Sequence, residues 1–396
     1  MSSCSTPKAG PVTPFISPNL RVRALEAADF DGDDVLDLMA MRAIGFDSPT
    51  TFGTSGRQGT SLVLLLGDGD GSFRIGPGVP KFPEALVLDS GDIDGDGDVD
   101  VVIAANPPWP QVGEPIRIYV LRNFGAGEFA LEGPTDSSAN ASFGIGNGTL
   151  HLGDFDLDDH LDAFVAIRDD DAFLSFNLGD GTFDSGELLR ATLTWAEVND
   201  LDGDGIPDIV GFEKGNQQEL SFFLGFGDGT FGVLPKRAVP TDLLALGDVN
   251  GDMALDIVAY TPERRVRALL GLGDGGFEPS PSTSSGGWPR GLHDFDGDGA
   301  LDFLGTERTS FGIVLKGGGD GTFASISLQE PKGQLTSVLA GDFDGDGVLD
   351  IVLDDVPAFA DSGAFSILTG TGDGTFVEGV RHPHDKRGDM ATARAT

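Results

Sequence analysis

Apolar residues in this chain come in short runs, many of them β-branched, and each run is bounded by stretches rich in glycine and aspartate. LDIVAY at 255–260, LDIVLD at 349–354, VRALL at 266–270 and GIVLK at 312–316 are typical. No segment repeats its apolar positions at the 3.6-residue period of a helix, so the runs predict short antiparallel strands and an all-β fold. Glycine and aspartate supply the left-handed positions that tight hairpins need, so the intervening stretches predict turns.

The turns are not random. One nine-residue pattern occurs seven times: DFDGDDVLD at 29–37, DIDGDGDVD at 92–100, DFDLDDHLD at 154–162, DLDGDGIPD at 200–208, DVNGDMALD at 248–256, DFDGDGALD at 294–302 and DFDGDGVLD at 342–350. A second signature, built around Gly-Asp-Gly, also occurs seven times and ends at Phe73, Phe129, Phe183, Phe231, Phe277, Phe323 and Phe376. The two alternate in register along the chain. With strand-like runs between them, each unit holds four short strands; the nonapeptide joins the first to the second, and the Gly-Asp-Gly turn joins the third to the fourth. Seven such units predict a seven-bladed β-propeller of four-stranded antiparallel blades. Residues 20–384 form this single domain, 1–19 a tether, and 385–396 a tail without apolar pattern. Closing the ring requires the chain ends to meet, and PVTPFIS at 11–17 is a candidate closing strand.

Composition sharpens the chemistry. Sixty-four acidic residues against 25 Lys and Arg give a formal charge of −39, which excludes nucleic acid or an anionic membrane as a partner for a basic surface. A single cysteine excludes a disulfide framework and a multi-cysteine zinc site. No apolar run is long enough for a transmembrane helix. Cys4, followed by a Ser/Thr/Pro-rich stretch, resembles the start of a mature bacterial lipoprotein, while a lone cysteine in a terminal tail is the other reading.

The nonapeptide concentrates the acids at alternate positions. Position one is Asp29, Asp92, Asp154, Asp200, Asp248, Asp294 and Asp342; position three is Asp31, Asp94, Asp156, Asp202, Asn250, Asp296 and Asp344. Position five is Asp33, Asp96, Asp158, Asp204, Asp252, Asp298 and Asp346, and position nine is Asp37, Asp100, Asp162, Asp208, Asp256, Asp302 and Asp350. With the main-chain carbonyl at position seven (Val35, Asp98, His160, Ile206, Ala254, Ala300 and Val348), about six or seven oxygens can surround one hard cation, which is calcium chemistry. Magnesium demands tighter octahedral geometry, and zinc prefers nitrogen or sulfur donors. An EF-hand is excluded because these loops close at the ninth residue and run straight into strands. Position two is apolar throughout and position eight is Leu in five of seven, which predicts side chains that anchor the loop in the core.

The loops at Asp92, Asp200, Asp294 and Asp342 match the pattern fully. Asp34 replaces the position-six glycine in the first, Leu157 and Asp159 replace both glycines in the third, and Asn250 and Met253 weaken the fifth. Four to seven Ca2+ ions are expected, and seven would bring the formal charge from −39 to −25, since 7 × 2 = 14.

Both motifs, recurring in register over about residues 20–380, resemble the FG-GAP or VCBS repeats of integrin α subunits and many bacterial surface proteins. The resemblance implies a calcium-stabilised propeller that works outside the cell or on its surface, secreted or lipid-anchored, as a monomeric adhesion or protein-interaction module. Lectin-like sugar binding is the alternative, and a calcium-dependent polysaccharide lyase a more remote one. Catalysis is not expected: His151, His160, His293, His382 and His384 sit near no nucleophile or base at motif spacing. Chain direction puts the nonapeptides and Gly-Asp-Gly turns on one face of the disc. Long stretches at 44–60, 106–115, 133–148 and 354–364 belong to the other face, where Phe46, Phe52, Arg57, Trp109 and Phe143 are candidate contacts for a protein or glycan ligand. Trp195 and Trp288 fall in the linkers into the fourth and sixth blades.

Overall fold

The computed structural model describes residues 25–44, 59–80, 85–105, 114–140, 148–167, 171–213, 219–238, 244–261, 263–273, 276–280, 287–306, 312–326, 334–356 and 364–383. Among them every regular element is a strand, and the strands form seven separate antiparallel sheets, each taken from one continuous stretch of chain. From inner to outer strand, the first blade is Leu25–Ala28, Asp37–Ile44, Gly59–Gly67 and Phe73–Ile75. The second is Ala85–Gly91, Asp100–Ala105, Pro115–Asn123 and Phe129–Asn140, and the third Gly148–Gly153, Asp162–Ile167, Phe173–Ser175 and Glu187–Leu188. The fourth is Leu193–Asn199, Asp208–Glu213, Glu219–Gly225 and Phe231–Val233, with Arg237–Ala238 added beside its third strand. The fifth is Leu244–Gly247, Asp256–Tyr260, Val266–Gly271 and Phe277–Pro279, and the sixth Trp288–His293, Asp302–Thr306, Gly312–Gly317 and Phe323–Ile326. The seventh is Gln334–Gly341, Asp350–Val356, Ala364–Gly370 and Phe376–Pro383.

The inner strand of the seventh blade lies against that of the first, so the ring closes as a seven-bladed β-propeller. All four strands of the seventh blade come from one C-terminal stretch, and residues 11–17 lie outside the described residues.

Apolar side chains sit between blades rather than within them, because a lone four-stranded sheet has two faces to cover. Leu25, Leu38 and Leu65 of the first blade pack on Leu339, Phe343, Val352 and Ile367 of the seventh. Val210 and Phe222 of the fourth pack with Ile257 of the fifth. The second strands, buried on both faces, read as continuous apolar runs such as DVVIAA and DAFVAI for that reason.

The two repeated motifs form the interface between blades. Each position-two side chain is buried, from Phe30 at 1% exposure to Val249 at 3%. The Phe that ends a Gly-Asp-Gly turn packs on the loop of the preceding blade: Phe129 meets Phe30 at 5.9 Å, Phe231 meets Phe155 at 6.0 Å, Phe376 meets Phe295 at 5.3 Å and Phe73 meets Phe343 at 5.9 Å, all edge to face. The same turns donate to the carbonyl of that position-two residue, Gly71 N to Phe343 O at 3.2 Å, Gly127 N to Phe30 O at 3.1 Å, Gly229 N to Phe155 O at 3.0 Å and Gly321 N to Val249 O at 3.1 Å. A backbone latch thus accompanies the aromatic contact between blades.

One stretch departs from expectation. Residues 133–140 belong to the outer strand of the second blade, paired with Pro115–Asn123, and not to a loop. Small and polar residues suit this edge strand, which is half solvated and reaches the third blade through Ser138 N to Ser185 O at 2.6 Å.

Candidate metal centres

Each nonapeptide is shaped by its own carboxylates before any ion is considered. The position-one side chain accepts from the amide at position six in all seven loops: Asp34, Gly97, Asp159, Gly205, Met253, Gly299 and Gly347 donate at 2.8–3.0 Å. The position-five side chain accepts from position seven, as in Val35 N to Asp33 at 3.0 Å and Val348 N to Asp346 at 2.8 Å. These bonds curl the chain into a cup with acidic groups turned inward.

Position six takes the left-handed conformation whatever residue stands there. Gly347 has φ 84°, and Asp34, Asp159 and Met253 have φ 66°, 70° and 70°, with Leu157 at position four at 60°. The loops expected to be weakest therefore keep the same backbone, at a cost of roughly 1–2 kcal/mol for each side chain held in this region. What distinguishes the fifth is its donor set: Asn250 Nδ2 donates to Asp252 Oδ2 at 2.9 Å, an internal bond where the other loops bring carboxylates together.

Carboxylate oxygens converge within 4.8 Å of one another for Asp29, Asp31 and Asp33, for Asp92, Asp94 and Asp96, for Asp154, Asp156 and Asp162, for Asp200, Asp202 and Asp208, and for Asp294, Asp296 and Asp302. Asp31 Oδ1 and Asp156 Oδ1, both at position three, are buried and accept no hydrogen bond. Burial and the neighbouring acids push Asp31, Asp156, Asp202 and Asp344 above the usual carboxylate range. An orphaned, desolvated carboxylate oxygen among like charges is what a hard cation would satisfy, so the residues present fit a divalent ion.

Position nine has a second role that spacing did not reveal. These aspartates are fully buried; one oxygen accepts the position-two amide and the other an amide at the end of the blade's third strand or, for Asp162, Asn177 N just beyond it. Asp37, for example, takes Phe30 N and Gly67 N, both at 2.8 Å, and Asp208 takes Leu201 N at 2.8 Å and Gly225 N at 2.7 Å. Each is therefore a clamp that ties loop to sheet and still has a lone pair to offer an ion. Burial pushes Asp37, Asp100, Asp208 and Asp350 up to about 6 and Asp162 to about 7, against the backbone amides that hold them down.

Three loops also meet a basic side chain. Arg74 pairs with Asp31 Oδ2 at 3.0 Å, Arg122 pairs with Asp94, and Lys316 reaches both Asp296 and Asp298, the latter at 2.9 Å. Arg74 occupies one oxygen of Asp31 and leaves the other bare. Lys316 bridges two carboxylates of a loop whose nine residues match the pattern fully, so matching sequence does not make the loops equal.

The candidate ligand contacts Phe46, Phe52, Arg57, Trp109 and Phe143 lie outside the described residues. Trp195 and Trp288 are strand residues rather than linkers; Trp195 is buried against Phe212, an ordinary core position. The described surface carries a different feature. Phe124, Leu178, Phe226 and Leu272 are 60%, 65%, 63% and 54% exposed, and each stands just before the first glycine of its turn on blades two to five. Leu157 and Met253 add further exposed apolar groups in the loops of blades three and five. The offset that Phe124, Leu178, Phe226 and Leu272 share before the glycine was the signal in the sequence.

The family model for an FG-GAP-like repeat matches residues 92–165 and 294–353. No curated protein matches the sequence. Among solved structures the fold is similar to BBS1N in a complex with ARL6DN, at 10% identity and a TM-score of 0.51 over 88% of this chain and 91% of that one. It is also similar to the periplasmic gluconolactonase PpgL of Pseudomonas aeruginosa, at 13% identity and a TM-score of 0.54 over 84% and 95% of the two chains. The protein is thus a seven-bladed β-propeller that carries FG-GAP-like repeats, with a cup of acidic side chains in the repeats.

Proposed function

We propose that the protein is a calcium-stabilised propeller that serves as a protein-interaction module outside the cell. The observation that carries the metal assignment is the pair of buried, unpartnered oxygens, Asp31 Oδ1 and Asp156 Oδ1, inside converging carboxylates. Loops of this kind, exposed on their outer side, suit the millimolar calcium found outside cells and stabilise the fold by mass action.

The apolar side chains Phe124, Leu178, Phe226 and Leu272 support recognition of another protein. They form an arc on one face, whereas sugar binding by a repeat would call for similar pockets between blades. The sequence also pointed to the opposite face, and both surfaces are compatible with one module. The likeness to a gluconolactonase is one of fold, and the nonapeptides hold no nucleophile, so binding rather than turnover is the proposed activity.

Thermal unfolding in millimolar calcium against a chelator, with calorimetric counting of ions, tests this. A large rise in Tm with four or more sites is expected. Identical melting in the two conditions, with no heat of binding, would reduce the loops to turns and remove the extracellular assignment with them.

A further inference from the structure

The nonapeptides and the Gly-Asp-Gly turns emerge at the same end of every blade, because the strands they join run antiparallel, and one part of that face differs from the rest. The residue before the first glycine of the turn is Phe124, Leu178, Phe226 and Leu272 on blades two to five, but Asp68, Gly318 and Thr371 on blades one, six and seven. Around Phe226 the apolar side chains are contiguous. Its ring lies over its own outer strand, with Cζ 2.8 Å from where a Cβ on Gly232 would stand, so a glycine makes the seat for the ring. Beside it, Leu157 Cδ1 from the loop of blade three and Ile206 Cδ1 from the loop of blade four lie 2.6 Å and 3.2 Å from the place of a Cβ on Gly227. Side chains of two blades thus meet around one glycine, and Leu157 and Phe226 remain exposed there.

Charge is divided in the same way. Blades one, two and six bring Arg74, Arg122 and Lys316 to their own loops. Three residues before the first glycine of the turn, where Arg122 and Lys316 stand, blades three, four and five carry Phe176, Leu224 and Leu270. The described Lys and Arg residues of these three blades, Arg190, Lys236, Arg237, Arg264, Arg265 and Arg267, stand in or beside connections at the opposite end of the strands. The loops at 154–162 and 200–208 hold five and four aspartates, so one divalent ion in each leaves the face acidic. Asp180 and Asp228 add exposed carboxylates two residues beyond Leu178 and Phe226.

An exposed apolar patch set among carboxylates, with the basic residues of its blades on the other face, matches a partner of the opposite pattern. We infer that the face over blades three to five, centred on Phe226 and Leu157, binds a cationic amphipathic segment of another protein. The apolar side of that segment covers the patch, and its Lys and Arg residues meet the surrounding aspartates. The inference rests on the reading of these turns as a protein-interaction surface and adds the chemistry of the partner. Within the disc the polar half of the contact already has a template: Lys316 reaches Asp296 and Asp298, and Arg122 joins Asp94 to the Asp180 carbonyl of the next blade. A second copy of the chain would bring two acidic faces together, and a formal charge of −39 opposes approach to an anionic bilayer.

The probe is a synthetic amphipathic helix of leucine and lysine, titrated by fluorescence anisotropy against the full-length protein in saturating calcium. Two control helices carry glutamate for lysine or serine for leucine. The leucine-lysine helix is expected to bind, and each control to bind at least about 10-fold more weakly. Leu157→Gly combined with Phe226→Ser should weaken binding by more than about 10-fold. Ile75→Ser and Val377→Ser, which remove exposed apolar groups from blades one and seven, should leave it unchanged. Leu157→Gly restores the residue that the other six loops carry and relieves a side chain held at φ 60°, so its Tm equals or exceeds the native value and any loss of binding in this single variant is not misfolding. Native affinity in the double variant would reduce the binding to diffuse attraction and overturn the site. Equal binding of the glutamate helix would overturn the cationic partner and leave these turns as a protein-binding surface, whereas no binding of any helix would remove both readings. Cosedimentation with phosphatidylcholine vesicles, or a dimer, that the double variant abolishes would overturn the proposal in favour of a lipid surface or a second copy.

Discussion

Asp350 Oδ2 accepts the backbone N–H of Phe343 at 3.0 Å, and its other oxygen accepts Gly370 N at 2.9 Å, so a single buried side chain holds a surface loop to the edge of its sheet. Asp346, four residues earlier, is exposed and organises only the loop itself through Val348 N. The two aspartates belong to one nonapeptide yet should fail differently. Asp350→Ala leaves two buried amides unpaired, each worth about 1–3 kcal/mol, and lowers Tm both in calcium and in chelator. Asp346→Ala lowers Tm in calcium and leaves the chelated protein within about 0.5 kcal/mol of the native chain. Paired melting curves in the two conditions check both, and equal losses for the two variants would contradict the division of labour.

This division was only half legible in the sequence. Seven nonapeptides and seven Gly-Asp-Gly turns in alternation, with apolar runs between them, were enough for the number of blades, the strand order and the burial of residues such as Phe30 and Phe343. Spacing places the carboxylate of Asp350 beside its own loop but says nothing of Gly370, which pairing across the blade brings to it. Lys316 is hidden in the same way, since an apolar run followed by one lysine looks like any strand end until that strand folds back over Asp296.

Acidity should stabilise the metal-free protein, against the usual trend for carboxylates. Asp37, Asp100, Asp208 and Asp350 stand at about 6 and Asp162 at about 7 in the folded chain, raised mainly by burial from an ordinary 3.8. The folded state thus binds protons more tightly than the unfolded one. Their contribution is complete below the unfolded value and is lost as pH rises through 6 to 7. In chelator, Tm should therefore climb as the pH is lowered from about 8 to about 5. In saturating calcium the slope should flatten or reverse, because protons and calcium compete for the same oxygens. A chelated protein whose Tm falls steadily over that range would show that these groups are ionised without cost.

The sixth loop matches the nonapeptide pattern in full, yet Lys316 bridges Asp296 and Asp298 there. Its ammonium lies where it repels an incoming cation and engages two of the oxygens that would coordinate it. Replacing it by methionine keeps the length of the strand-end side chain and removes the charge. Lys316→Met should strengthen calcium binding at this loop by about 3- to 10-fold while slightly destabilising the chelated protein. Calorimetry on the variant would show one site moving from the weak class to the tight class. An unchanged isotherm would mean that the lysine swings aside at no cost when calcium binds.

Leu178 and Phe226 project from equivalent turns on blades three and four, 65% and 63% exposed, within a face otherwise crowded with aspartate. Neither contributes to the core that Phe183 and Phe231 supply from the same turns, so their retention at the surface costs solubility without adding stability. Leu178→Ser with Phe226→Ser should accordingly leave Tm within about 0.5 kcal/mol of the native chain in calcium and in chelator. The same pair should lower retention on a phenyl matrix and, on the proposed reading, abolish binding of a protein partner. A partner that binds the double variant with native affinity would move recognition to the opposite face of the disc. A double variant that melts early would instead show that these side chains hold their turns in place. The two outcomes are told apart by measuring Tm before binding.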